Sequence, residues 1–237
     1  MSAKQPKSFT SPAHISKAEL KQLSQLPLGQ LFREVYRKQL WGAGQGLSYY
    51  SGSGSRNPAI VGPYLESVVN FLKSFEAKPV VVDLGCGDFF IGSQIVQHAN
   101  HYFACDIVPG LIEELAADHR ADNLDFLCLD ATCESLPSGD VLIVRQVLQH
   151  LSNNAIKQIT RQFHQYRYIL VTEHVPMNDF IANKDKPNGP DSRLRWQSGV
   201  DLLQAPFNLK AKNARLFCQT EDEALPSTLI KTMLYEM

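Results

Sequence analysis

Residues 79–92, which read Pro-Val-Val-Val-Asp-Leu-Gly-Cys-Gly-Asp-Phe-Phe-Ile-Gly, restrict the fold of this chain more than any other segment. The valine run is short and wholly apolar, which is typical of a parallel strand that is buried on both faces. Gly85 and Gly87 then allow a tight turn beside a ligand, because glycine lacks a Cβ atom and readily adopts positive φ. The segment therefore predicts a strand, a glycine turn and a helix, an arrangement that binds nucleotides.

Two nucleotide-binding patterns can be compared with this turn. The dinucleotide fingerprint G-x-G-x-x-G requires a third glycine where this chain has Phe90. The series Asp83, Gly85 and Gly87 instead resembles motif I of the class I S-adenosylmethionine-dependent methyltransferases, with Phe89 at its third glycine position. This resemblance implies S-adenosylmethionine as the cofactor and extends over roughly residues 58–237.

Further apolar runs alternate with helical patterns along the chain. Predicted strands cover residues 80–83, 102–106, 125–129, 140–144, 168–172, 214–219 and 228–235. Predicted helices open at Pro63, follow the glycine turn, cover residues 111–117 and follow Ser152 as N-cap. Alternating strands and helices indicate an α/β fold with a doubly wound, mostly parallel seven-stranded sheet. The last two strands predict an antiparallel C-terminal hairpin, which in the family resemblance distinguishes methyltransferases from dinucleotide dehydrogenases.

The N-terminal part predicts a separate helical extension over residues 1–57, before a Rossmann-like domain over residues 58–237. Ser16 and Glu19 fit a capping box, and an amphipathic helix follows from Leu28. The glycine- and serine-rich segment after it carries several aromatic residues, which pure linkers seldom do. It can be a hinge with anchoring aromatics or an active-site lid. In the second interpretation Tyr36 and Trp41 face the cofactor, whereas Tyr49 and Tyr50 face the acceptor.

Polar residues cluster at the predicted carboxyl ends of the parallel strands, where α/β sheets bind ligands. Asp106 follows Asp83 at about the 20-residue interval of a ribose-binding acid, although it could also be a helix N-cap. The family resemblance implies that Asp130 binds the adenine amino group and that the Ala131 amide meets the ring. The complete predicted cofactor set is Tyr36, Trp41, Asp83, Gly85, Cys86, Gly87, Asp106, Ile107, Asp130, Ala131, Arg145 and Gln146.

Three residues are candidates for catalysis. Methyl transfer is an in-line displacement, in which the protein aligns the reactants, excludes water and manages one proton. An oxygen acceptor generally requires a general base, whereas a neutral amine often requires only desolvation. His150 is the first candidate base and His174 the second, with Glu173 as an orienting group or alternative base. Each histidine could equally be a structural hydrogen-bonding group.

A basic segment beyond the fifth predicted strand suggests the acceptor. It contains Lys184, Lys186, Arg193, Arg195 and Trp196 in a chain of net charge −1. Arginine can hold a planar anion with two hydrogen bonds, and tryptophan offers a stacking face. Arg193, Arg195 and Trp196 are therefore predicted to bind a small polar acceptor that is anionic or sugar-like. A solvated loop is the alternative interpretation.

Composition excludes several classes of function. The near-neutral charge gives no reason to expect general nucleic-acid binding, and no apolar run approaches the ~18 residues of a membrane span. Without a signal-peptide core, the chain is expected to be cytoplasmic. The five cysteines lack zinc-site spacing, so no metal is expected. The prediction is a methyltransferase acting on oxygen or nitrogen; the alternatives are an NAD(P)-dependent oxidoreductase and a non-catalytic S-adenosylmethionine-binding regulatory module.

Overall fold

The computed structural model describes residues 9–10, 15–44 and 46–237. The N-terminal extension predicted over residues 1–57 lies partly outside these described residues. Two short strands, β1 (Phe9–Thr10) and β2 (Ala43–Gly44), pair with each other in antiparallel register.

A seven-stranded sheet forms the centre of the molecule. Its strands are β3 (Val80–Leu84), β4 (His101–Asp106), β5 (Leu124–Cys128), β6 (Val141–Arg145), β7 (Tyr168–Pro176), β8 (Asn213–Glu221) and β9 (Thr228–Glu236). They are arranged in the order β5-β4-β3-β6-β7-β9-β8, with β9 antiparallel to both β7 and β8. The predicted fold class, a mostly parallel sheet with an antiparallel C-terminal hairpin, is confirmed.

The strand order reverses between β3 and β6. The chain runs outward from β3 to β4 and β5, and then returns to the other side of β3 with β6. A crevice opens beyond the carboxyl ends of the strands at such a point, because the two neighbouring connections lead to opposite sides. The glycine turn after β3 lies at this crevice.

Both faces of the sheet are buried, as the valine run predicts. Val81 packs into the hydrophobic core on one side of β3, and Val82 packs into the core on the other side. Since neither valine is exposed to solvent, β3 is fixed firmly beneath the glycine turn.

Helices flank the sheet at several positions. The α-helices of the described residues are α1 (Lys17–Leu23), α2 (Leu28–Arg37), α3 (Pro58–Lys73), α4 (Gly92–Ile95), α5 (Pro109–Asp118) and α6 (Asn153–Thr160). Helix α3 begins at Pro58 rather than at the predicted Pro63, because the Asn57 side chain caps its first turn. Pro63 lies inside the helix. The helix predicted after the glycine turn is only the short α4 with a following 3₁₀ turn.

Strand β7 is longer than predicted, which changes the position of two candidate catalytic residues. The predicted strand ends at residue 172, whereas antiparallel pairing with β9 extends β7 to Pro176. Glu173 and His174 therefore lie within a strand rather than in the loop after it. Their side chains point to opposite faces of the sheet, since successive residues of a strand alternate.

The N-terminal helices pack against the main domain through α2. The Ser16–Glu19 capping box is present, and α2 buries Leu31, Val35 and Tyr36. Phe32 contacts both core clusters of the sheet as well as the small core of the N-terminal helices. None of the helices in the described ranges is long and apolar enough to cross a membrane.

Candidate active site

A cavity of about 530 Å³ opens beyond the carboxyl ends of β3, β4 and β6. Helix α2 and the segment 51–55 form its opposite wall. Among its lining residues are Tyr36, Trp41, Asp83, Gly85, Cys86, Gly87, Asp106, Ile107, Asp130, Ala131, Arg145, Gln146, His150 and His174. Tyr49, Tyr50, Glu173, Arg193, Arg195 and Trp196 were also predicted as site residues, but they do not line it.

The glycine turn forms the floor of the cavity. Gly85 and Gly87 have φ values of 76° and 55°. A Cβ atom on Gly85 would lie 2.3 Å from Val147 Cγ2, and one on Gly87 would lie 2.3 Å from Ser51 Oγ. The backbone N–H groups of Gly85 and Cys86 both donate to the Cys105 carbonyl, at 2.8 and 3.0 Å. Both glycines are therefore required by conformation and by space.

Two buried carboxyl groups lie at the ends of neighbouring strands beside this turn. Asp83 accepts a hydrogen bond from the Tyr102 hydroxyl at 2.8 Å, and burial raises its pKa to about 7. Asp106 accepts from the N–H groups of Gly87 at 3.2 Å and Val108 at 3.1 Å. Burial also raises the pKa of Asp106, to about 6, against the effect of these backbone hydrogen bonds. Asp106 thus faces the glycine turn with a fixed carboxyl group.

Asp130 and Ala131 follow β5 at one end of the cavity. One carboxylate oxygen of Asp130 accepts from both the N–H and the hydroxyl group of Thr132, at 2.9 and 2.6 Å. The Asp130 N–H donates to Glu134 at 2.6 Å. Local hydrogen bonds therefore hold this loop in one conformation.

The segment after β2 is attached to the glycine turn by a buried ion pair. Asp88 pairs with Arg56 at 2.9 Å and accepts from the Ser51 N–H at 3.1 Å. Its own N–H donates to Ser51 Oγ at 2.8 Å. Ser51, Arg56 and Asp88 were not among the site residues predicted from the sequence. Asp88, directly after the glycine turn, was the one residue whose position could have suggested a role.

Aromatic side chains cover the cavity from the N-terminal side. The Tyr36 ring lies 5.2 Å from Trp41 and 5.3 Å from Tyr49, both edge to face. Trp41 donates from Nε1 to the Pro190 carbonyl at 3.1 Å, and its ring lies 4.9 Å from that of His150. Tyr49 supports this group from behind, against α5, and Tyr50 is buried. Neither Tyr49 nor Tyr50 lines the cavity, so their predicted contact with the acceptor stays a prediction.

Arg145 connects the end of β6 to the segment 53–55. Its guanidinium donates to the Gly54 carbonyl at 2.9 Å, to Ser55 Oγ at 3.3 Å and to Gln146 Oε1 at 3.0 Å. It also lies 4.9 Å from the centre of the Tyr64 ring. Burial lowers the pKa of Arg145. This residue holds a positive charge at the cavity wall and fixes the segment above it.

Glu173 supports the turn that carries His150 and does not contact the cavity. Its carboxylate oxygens accept from the N–H groups of Leu148 at 3.0 Å and Gln149 at 2.8 Å. Burial raises the pKa of Glu173 to about 8. Because it lies on the other face of β7, the structure favours the orienting role of Glu173 over its predicted alternative role as a base.

The two candidate histidines lie on either side of Gln149. The His174 backbone N–H donates to Gln149 Oε1 at 3.1 Å, and Gln149 Nε2 lies 3.3 Å from His150 Nε2. His174 Nε2 lies 2.7 Å from Thr228 Oγ1 and 3.8 Å from Asp222 Oδ2. Burial lowers the pKa of both rings, that of His150 to about 3. Asp222 also lines the cavity and was missed by the sequence analysis.

The predicted basic acceptor site is not assembled at the cavity. Arg193 is fully buried and donates to the Lys184 carbonyl, to the Leu151 carbonyl at 2.7 Å and to Asn153 Oδ1 at 3.0 Å. Arg195 is exposed and pairs with Asp191 at 2.7 Å. Trp196 stacks near Arg195, 5.9 Å from its guanidinium carbon. Arg193 and Arg195 bond backbone carbonyls, an asparagine side chain and a neighbouring acid, so their predicted contact with the acceptor stays a prediction.

In the described ranges, no group of three or more His, Cys, Asp or Glu side chains is arranged to hold a metal ion.

Comparisons with known proteins bear on the domain that carries this cavity. Residues 81–167 match the model of a methyltransferase domain family. The fold is similar to that of the N-methyltransferase NodS from Bradyrhizobium japonicum WM9 in complex with S-adenosyl-L-homocysteine, with 12% identity, a TM-score of 0.57 and coverage of 78% of this chain and 90% of that chain. No curated protein matches this sequence.

Two further solved structures have a similar fold. The DhpI complex with S-adenosylhomocysteine has 11% identity, a TM-score of 0.51 and coverage of 93% of this chain and 98% of that chain. An S-adenosylmethionine-dependent methyltransferase from Mesorhizobium loti has 15% identity, a TM-score of 0.52 and coverage of 76% and 100%. At such identities the likeness bears on the fold, and the match over residues 81–167 bears on the family.

The fold and the matched segment agree with each other. Residues 81–167 match a methyltransferase domain family, and the sheet has the strand order and antiparallel C-terminal hairpin expected for this fold. The matched domain indicates methyl transfer, which favours a transferase over the alternative of an NAD(P)-dependent oxidoreductase.

Proposed function

We propose that this enzyme transfers a methyl group to an oxygen or nitrogen atom of a small polar acceptor. The observation that carries this proposal is the single cavity in which the glycine turn and Asp106 meet His150 and His174. A volume of about 530 Å³ is within the usual range of small-molecule sites. The acceptor would enter between the N-terminal segment and the ends of β6 and β7.

The residues of the cavity fit the cofactor. Gly85 and Gly87 leave the backbone of the turn open where an added Cβ atom would collide with Val147 and Ser51, and Cys86 lies between them at the cavity. Asp106 has a fixed carboxyl group that can accept hydrogen bonds from ribose hydroxyls, and Asp130 with Ala131 follows the next strand. We assign the remaining cofactor contacts to Tyr36, Trp41, Asp83, Ile107, Arg145 and Gln146, which all line the cavity. When bound, the cofactor supplies an electrophilic methyl group on a sulfonium.

The chain itself contributes alignment, exclusion of water and control of one proton. Helix α2 and the segment 51–55 cover the cavity, and the Arg56–Asp88 ion pair holds that cover to the glycine turn. Exclusion of water strengthens the electrostatic interactions inside the site and protects the reactants. We retain residues 1–57 as a lid and residues 58–237 as the catalytic domain in this proposal.

Binding and turnover test the function separately. Calorimetry should show that S-adenosylhomocysteine binds and that NAD⁺ does not. A labelled methyl group should then pass from S-adenosylmethionine to a component of a fractionated small-molecule extract. Binding without transfer to any fraction would favour the regulatory module over the enzyme. Absence of binding would remove the proposed site altogether.

Cofactor binding should order the N-terminal segment. We expect S-adenosylhomocysteine to slow amide hydrogen exchange in residues 28–57, because this segment forms one wall of the cavity. Residues 66–73 of α3 lie outside the lining and provide an internal control. Mass spectrometry of exchanged peptides measures both regions. Equal exchange of residues 28–57 with and without ligand would reduce the segment to passive packing.

The Arg56–Asp88 pair should control this response. Arg56→Ala leaves Asp88 buried without its cation, so exchange in residues 51–57 should become several-fold faster in the liganded state. Arg37→Ala is the matched control, because Arg37 forms an exposed pair with Glu34 at 2.6 Å. An identical exchange pattern in the two variants would show that the Arg56–Asp88 ion pair does not hold residues 51–57 against the glycine turn.

A further inference from the structure

Gln149 determines which nitrogen of His150 carries a proton. Its Oε1 atom accepts from the His174 backbone N–H at 3.1 Å, so its amino group must be the part that faces His150 Nε2 at 3.3 Å. An amide NH₂ group can only donate, and His150 Nε2 must therefore accept. The neutral His150 ring then carries its proton on Nδ1, and its basic lone pair is already engaged. His150 is consequently poorly suited to accept a proton from an acceptor.

The opposite arrangement holds at His174. The Thr228 hydroxyl donates its single proton to the Leu225 carbonyl at 2.6 Å, and it can only accept from His174 Nε2 at 2.7 Å. The neutral His174 ring therefore carries its proton on Nε2, which leaves the basic lone pair on Nδ1. His174 lines the cavity, whereas Thr228, at the start of β9, does not.

Asp222 adds a negative charge beside the same ring. Its Oδ2 atom lies 3.8 Å from His174 Nε2, and its Oδ1 atom accepts from the Ala224 N–H at 3.0 Å. Both Asp222 and His174 are more than nine-tenths buried, so the carboxylate is positioned to stabilise an imidazolium. Asp222 opposes the effect of burial on the pKa of His174.

The other charged groups around His174 come from separate elements. Arg145 at the end of β6 lines the same cavity. Glu173 precedes His174 in β7, but its carboxylate is engaged with backbone N–H groups on the opposite face of the sheet. The turn that packs against His174 contributes the neutral Gln149 side chain. Asp222 is therefore the charged group that acts directly on the ring.

We propose that His174 accepts the proton of a hydroxyl acceptor through Nδ1, and that Thr228 and Asp222 are its positioning residues. This inference rests on the proposed methyl transfer and narrows it to alcohols or phenols. The acceptor oxygen forms the new O–C bond and releases its proton to Nδ1, while the electron pair of the broken C–S bond stays on sulfur. The positive charge of the sulfonium thus reappears on His174 beside Asp222. A neutral amine would not require this arrangement, since it attacks with a free lone pair.

Nitrogen NMR of the histidine-labelled protein tests the arrangement without any acceptor. Long-range ¹H–¹⁵N spectra should show His174 protonated on Nε2 and His150 on Nδ1 when both are neutral. Asp222→Asn should lower the pKa of His174 by about one unit or more, because it removes the opposing charge. Glu221→Gln is the matched control, because Glu221 is the exposed last residue of β8, next to Asp222, and this change should leave the pKa of His174 unchanged.

Two results would overturn the proposal. One is a neutral His174 protonated on Nδ1; the other is a His174 pKa that responds equally to Asp222→Asn and Glu221→Gln. Thr228→Val provides an additional check, because loss of the acceptor oxygen should weaken the preference for the Nε2 proton at His174 while the fold is retained.

The transfer assay provides the second test. His174→Asn should lower kcat by about 100-fold or more, the usual contribution of a general base, with unchanged affinity for S-adenosylhomocysteine. Asp222→Asn should lower the pKa of His174, so the acidic limb of the pH profile of kcat should move to lower pH. A product methylated on nitrogen would contradict the inference. Absence of cofactor binding would instead contradict the proposed function. The NMR result would then still report the protonation of His174 and His150, because it does not depend on methyl transfer.

Discussion

Arg193→Ala should lower the free energy of unfolding by about 3 kcal/mol or more, because it leaves one buried and two partly buried acceptors without their donor. The Arg193 side chain is fully buried and bonds the carbonyl groups of Lys184 and Leu151 together with Asn153 Oδ1. It thereby joins the loop after β7 to the start of α6. Its removal also opens a cavity that the loops can fill only in part.

Arg195→Ala is the matched control, two residues along the same 3₁₀ turn. Arg195 forms an exposed pair with Asp191, and such pairs contribute at most about 1 kcal/mol. Urea unfolding of both variants measures the difference. If Arg193→Ala is as stable as Arg195→Ala, Arg193 is not a structural residue, and its predicted contact with the acceptor regains support.

The fold could be predicted from the sequence because its determinants are local. Each parallel strand is a short apolar run, and Val81 and Val82 pack into opposite cores without depending on a particular distant partner. Strand ends then place Asp83 and Asp106 at one edge of the sheet, since parallel strands share a direction. These positions follow from periodicity and from the glycine turn.

The lining of the cavity was predicted less completely, because it depends on contacts between distant segments. Asp88 pairs with Arg56, which is 32 residues away, and His174 meets Thr228 54 residues away. Neither pair has a local pattern. The strand extension that buries Glu173 and His174 in β7 likewise arises from pairing with β9, which periodicity within β7 does not reveal.

The basic segment shows most clearly that contacts with distant residues cannot be predicted from a local pattern. Arg193 and Arg195 are equivalent in composition and lie two positions apart, yet one is fully buried and the other is exposed. The distinguishing partner of Arg193 is the Leu151 carbonyl, which is 42 residues away. A run of basic residues in the sequence therefore does not reveal whether each side chain faces solvent, binds an anion, or is buried and bonded to backbone carbonyls.

Asp106→Ala should weaken the binding of S-adenosylhomocysteine by about ten-fold or more, because a charge-assisted hydrogen bond contributes roughly 1.5–3 kcal/mol. The carboxyl group is buried at the cavity and is held by the N–H groups of Gly87 and Val108. Asp118→Ala is the control, since Asp118 is exposed at the end of α5. Calorimetry of both variants measures the effect, and equal affinities would remove Asp106 from the cofactor site.

The pH dependence of this binding provides a sharper test of the same residue. Burial raises the pKa of Asp106 to about 6, and the ionised form is the better acceptor for ribose hydroxyls. Affinity should therefore be constant at high pH and should fall as the pH drops through about 6, by at most ten-fold per unit for one proton. Asp83 titrates nearby, with its pKa raised to about 7, so the two groups must be separated. Asp106→Asn keeps the shape of the side chain and removes its titration, and it should flatten the limb near pH 6 while any contribution of Asp83 remains. An unchanged limb in Asp106→Asn would assign the pH dependence to Asp83 instead.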